Sequence, residues 1–134
     1  MNNISYNWSD AWVLLAIINA SRKGDATLTD IIASGDAINF AVFAPEVLES
    51  GLARLTEGGY IEETNGIFRP TKAALAYAKN SSKRRPAHKE LKDVEAMLGA
   101  PTATAKQPSA NDLRYPGFSA AMYEDAVTRY VQSD

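Results

Sequence analysis

The residues of this chain that could do chemistry are few and badly placed for catalysis. The single histidine, His88, lies between Pro86 and Lys89 in a basic stretch. General acid or base work needs a group positioned in a pocket, and no nucleophile stands at a motif spacing near it. Glu46 and Glu49 share a helix face at i, i+3, but a metal there needs ligands that the neighbouring sequence does not supply. Glu62 and Glu63 are adjacent on a strand, where alternation sends them to opposite faces, so they are no catalytic carboxylate pair. There is no cysteine, which removes disulfides, thiolate ligands and thiol nucleophiles. No phosphate-cradling glycine loop, dinucleotide fingerprint or zinc-ligand set is present. The expectation is a protein that is not an enzyme, with no cofactor and no metal.

What remains is electrostatic. The formal net charge of −2 is strongly segregated. Residues 1–66 hold three Lys and Arg against nine Asp and Glu, a net of −6; residues 67–92 hold eight against one, a net of +7. The basic group Lys83, Arg84, Arg85, Lys89 and Lys92 is the candidate site for a phosphate or an acidic partner, because lysine and arginine supply most non-specific affinity for nucleic acid. The acidic group Glu46, Glu49 and Glu57, with Ser50, is the candidate face for a basic protein. These asymmetries concern partners and leave the fold open.

The elements that must position these groups follow from periodicity. Trp8, Ala11, Trp12, Leu15 and Ile18 recur at helical spacing, predicting a first helix over Ser9 to Lys23 with Ser9 as N-cap and Gly24 as its stop. Thr27 and Asp30 have capping-box spacing, predicting a second helix from Leu28 with an inner face of Ile31, Gly35, Ile38 and Val42. Pro45 fits the first position of a third helix running to about Glu57. Its inward residues are Leu48, Gly51, Leu52 and Leu55, which leaves the acidic group and Arg54 toward solvent.

Asn65-Gly66 predicts a type I′ hairpin pairing Thr64 with Ile67, Glu63 with Phe68, Glu62 with Arg69 and Ile61 with Pro70. Thr71 can cap a fourth helix carrying Ala74, Leu75 and Ala78 inward. Leu91, Val94 and Leu98 define a thin stripe on a short helix that needs a partner. Residues 100–111 read as a linker. After Tyr115-Pro116-Gly117-Phe118, a last helix carries Met122, Tyr123, Ala126, Val127, Tyr130 and Val131. That stripe must dock on its own domain or on a second copy. Trp8, Trp12, Phe40, Phe43, Tyr60 and Phe68 fall at core or core-edge spacing.

The order of three helices, hairpin and helix over Ser9 to Lys79 resembles the winged helix-turn-helix regulators, including the MarR type. The echoes are local: "TLTDII" is similar to the capped start of their second helix, "GLARLTEGGYIEE" to the end of their third helix running into the wing, and "GIFRPTKAALAYA" to the second wing strand and closing helix. The resemblance implies a third helix in the major groove, a wing on the neighbouring minor groove or backbone, and a homodimer built from terminal helices. The chain departs from that pattern in the long gap between Thr27 and Pro45, and in Thr71-Lys72-Ala73 where these regulators often have Thr-Pro-Lys-Gly.

The combined expectation is a mainly α protein with a small β-hairpin: a winged helix-turn-helix domain over 1–79, a basic connector over 80–87, and a helical extension over 88–134. The acidic third helix and wing disfavour groove binding, so the role expected is a protein-interaction and dimerisation module. Met122, Tyr123, Val127, Tyr130 and Val131 are the candidate dimer contacts. The alternative is a DNA-binding regulator touching phosphates through Lys83 to Lys92. The longest apolar run, Ala11 to Ile18, is far below the roughly 20 residues a membrane span needs, and the reading is a soluble cytoplasmic protein without a membrane partner.

Overall fold

The first helix forms the axis of the structure because its apolar residues leave no polar side. In the computed structural model, which describes residues 5–78, 86–99 and 113–132, α1 spans Trp8–Lys23 and buries every residue from Asp10 to Ile18. Its N-cap is Asn7 rather than Ser9. The Asp10 carboxylate reaches back to accept the Asn7 backbone N–H at 2.7 Å, closing the helix start two residues early.

α2 spans Leu28–Asn39 behind the expected capping box: the Asp30 carboxylate accepts the Thr27 N–H at 3.0 Å, and Thr27 Oγ1 accepts the Asp30 N–H at 3.3 Å. It ends at Phe40, whose left-handed backbone (φ 56°) turns its ring outward. Phe40 is 89% exposed and is no core residue, and Val42 is exposed as well. The chain takes five residues, 40–44, to reach α3, which accounts for the long gap before Pro45. Phe43 from this connection fills the place expected of Val42. Its ring packs on Trp12 at 4.1 Å and against Gly35, whose carbonyl accepts the Trp12 indole N–H at 2.9 Å.

α3 runs Pro45–Glu57 and stops at Gly58-Gly59, with Gly59 at φ 82°. The hairpin β1 (Ile61–Thr64) and β2 (Ile67–Pro70) has the register read from Asn65-Gly66 in every pair. One pairing had no sequence signal: the Phe68 N–H donates to the Ala26 carbonyl at 2.9 Å, adding the α1–α2 connection to the free edge of β2. Ile61 and Phe68 bury one side of this small sheet.

The fourth helix expected at Thr71 is a 3-10 helix, Ala74–Ala78. The Thr71 hydroxyl donates to the Gly59 carbonyl at 2.6 Å, so it ties the element to the end of α3 instead of capping a longer helix. Ala74 is buried, while Leu75, expected inside, is exposed. α4 (Ala87–Leu98) lays Leu91, Val94 and Leu98 on α1, and α5 (Ala120–Gln132) packs on α2 through Ala126. All of these residues belong to one hydrophobic core. The protein is thus mainly helical with a two-stranded antiparallel hairpin. Among the described residues no helix is long and apolar enough to cross a membrane.

Candidate interaction face

The outward side of α3 is where the sequence places its acidic group, and the chain itself lies across part of it. Glu46 and Glu57 are exposed as expected. Glu49 and Ser50 are not free to solvent: Ser50 is fully buried and the Glu49 side chain is 13% exposed. The covering segment is residues 113–118, which lead into α5. The Leu113 N–H donates to Ser50 Oγ at 3.2 Å and the Tyr115 N–H donates to Glu49 Oε2 at 2.9 Å. Arg114 stands 3.9 Å from the other Glu49 oxygen with its side chain 89% exposed. Two main-chain donors, two residues apart on the arm, thus meet neighbouring side chains on α3.

Tyr115 anchors the arm. Its ring lies 6.2 Å from that of Phe68 on the hairpin, and its hydroxyl shares a hydrogen bond with Thr56. Burial raises the Tyr115 pKa and Glu63 adds to the rise, while the Thr56 contact opposes it. Glu63 accepts the Gly66 N–H at 2.6 Å and so braces the hairpin tip. Leu28, Phe68, Tyr115, Phe118 and Met122 line an apolar recess of about 90 Å³ between hairpin and arm.

Arg54 is the second correction on this face. It is no surface cation: its side chain is 3% exposed and pairs with Asp10 in the core. The helix lies close enough to α1 for this, because a Cβ on Gly51 would stand only 3.0 Å from Val13 Cγ2. With Arg54 withdrawn, the exposed charges on α3, the hairpin and the arm are Glu46, Glu57, Glu62 and Glu63 against Arg69 and Arg114. Because Glu49 is covered along with Arg54 and the arm adds Arg114, the face is slightly less acidic than the sequence reading held, though its exposed carboxylates still outnumber its arginines.

The other candidate residues scatter. Lys89 and Lys92 are exposed on α4, and His88 is exposed in its first turn. Lys83, Arg84 and Arg85 lie outside the described residues. The stripe proposed for a dimer is divided by α2. The Tyr123 hydroxyl donates to the Phe43 carbonyl, the Tyr130 hydroxyl bonds Asp36, and Val127 packs on the core. Only Met122 and Val131 of that group are left exposed. The docking partner that the stripe required is therefore α2 of the same chain. A second concavity, about 500 Å³, opens between the end of α1 and α2, where Asn19, Arg22, Lys23, Asp25, Asp30 and Ser34 make it polar.

No protein-family model, curated protein or solved structure matches the chain.

Proposed function

We propose that the chain is a non-enzymatic winged helix-turn-helix module of transcription-regulator type, whose α3 and hairpin engage polypeptide rather than a nucleic-acid duplex. The order of α1 to α3 followed by the hairpin supports the winged-helix reading, and so does the single bridge between Phe68 and Ala26, which joins the wing to the α1–α2 connection. In such a fold α3 and the wing are the parts that would meet a duplex.

The observation that carries the reading is that α3 already holds polypeptide there, through the main-chain N–H groups of Leu113 and Tyr115. Phosphates would have to approach Glu46, Glu57, Glu62 and Glu63 without the help of Arg54, whose charge is neutralised inside. A surface whose carboxylates outnumber its cations has little affinity to start from.

Fluorescence anisotropy of a labelled random duplex, titrated with protein over a salt series, tests this. The reading expects no rise in anisotropy at low salt. Binding that weakens steeply with salt would overturn it. Abolition of that binding by Arg84→Ala with Arg85→Ala would assign it to the basic connector.

A further inference from the structure

We propose that the α3–hairpin face is a docking groove for a basic, aromatic-bearing segment of another protein, and that residues 113–118 are its resident self-ligand, displaced when that partner binds. The inference rests on the proposed preference of this face for polypeptide and gives that partner a chemistry.

The arm shows how the groove reads a chain. Its two hydrogen bonds to α3 come from backbone N–H groups, which every residue except proline offers, so they select a main-chain geometry and not a sequence. Side-chain selection falls on one position, Tyr115, held between Phe68 and Thr56. Aromatic anchors of this kind dominate interface energetics.

The arm also fits incompletely. It brings one cation, Arg114, which stays 89% exposed and 3.9 Å from Glu49, while Glu46 and Glu57 on α3 and Glu63 on the Phe68 face of the hairpin remain exposed. A partner with two further lysines or arginines flanking its aromatic residue would complement that rim better, in a salt-dependent way. Leu113, Arg114, Pro116 and Gly117 are exposed, so few contacts oppose the arm's release. Its advantage is tethering, since an attached ligand acts at an effective concentration on the order of millimolar.

The test uses the full chain and a fluorescein-labelled peptide of residues 110–119, in its own sequence and with Asn111→Lys and Asp112→Lys added to the peptide. Two variants of the protein loosen the arm. Leu113→Pro removes the N–H that reaches Ser50, and Tyr115→Ala removes the aromatic anchor; circular dichroism checks that each is folded. The expected result is that the peptide binds the loosened proteins at least tenfold more tightly than the unaltered chain. The lysine-bearing peptide binds more tightly still at 50 mM salt and loses that advantage at 0.5 M. Glu49→Gln in the Leu113→Pro background weakens both peptides.

Equal binding to the loosened and unaltered proteins, or no binding to any of them, overturns the self-ligand. No gain from the added lysines overturns the basic partner. An unlabelled random duplex added as competitor separates the two levels: displacement of the peptide by duplex sinks the underlying preference for polypeptide, whereas peptide failure without duplex binding sinks this inference alone.

Discussion

Arg54 Nη1 lies 3.0 and 3.1 Å from the two carboxylate oxygens of Asp10, and both side chains are buried, 3% and 0% exposed. The same carboxylate caps α1 through the Asn7 N–H. One group therefore starts the central helix and fixes α3 against it. Breaking a buried pair leaves an uncompensated charge in the core, so Arg54→Ala should cost about 3–5 kcal/mol in urea unfolding. A loss below about 1 kcal/mol would mean that the pair is solvated.

The pH dependence of this residue has a definite sign. Burial raises the Asp10 pKa above its ordinary value, with the Asn7 N–H and Arg54 opposing the rise. An acid whose folded pKa is raised contributes stability that is fully present below its unfolded pKa, near 3.9, and is lost as pH rises through the folded value. The stability advantage of the unaltered chain over Asp10→Asn should therefore shrink as pH increases above about 4. Urea midpoints measured from pH 3 to 8 check this. An advantage that grows with pH would show that Arg54 and the cap outweigh burial.

Gly35 is a socket and not a weak point in α2. A Cβ there would stand 2.6 Å from Phe43 Cζ and closer still to Cε2, on a ring already wedged against Trp12. Gly35→Ala should destabilise by about 1–3 kcal/mol through overpacking, despite alanine's better helix propensity. Thermal melts should place Tm below that of the unaltered protein. A rise in Tm would contradict the packing.

Docking of α5 hangs on Ala126, which is 3% exposed, and on the two tyrosine hydroxyls at Phe43 and Asp36. Tyr130→Phe should cost about 0.5–1.5 kcal/mol. Ala126→Asp buries an unpaired charge and should release the helix, with amide exchange across 120–132 rising toward coil rates while α1 stays protected. Equal loss of protection in α1 would mean that α5 is integral to the core.

Much of the backbone was legible because its signals are local. Asn65-Gly66 specified the hairpin register, Thr27 and Asp30 the start of α2, and Pro45 the start of α3. The errors came where side chains answer to distant residues. Arg54 read as outward because polarity alone cannot reveal an Asp10 that is 44 residues away. Phe40 read as core or core-edge by spacing, yet its place at a left-handed helix end aims it at water. Glu49 and Ser50 read as free because Leu113 to Phe118 has no periodicity to announce that it docks. The Tyr-Pro-Gly-Phe cluster was the available signal, an aromatic turn in an otherwise polar stretch.

The most direct measurement is amide hydrogen exchange at Leu113 and Tyr115, with and without an excess of random duplex DNA at low salt. With α3 occupied by the arm and its rim acidic, both amides should exchange more slowly than coil, and duplex should leave them unchanged. Coil-like exchange in the free protein, or protection lost on adding duplex, would contradict a face made for polypeptide.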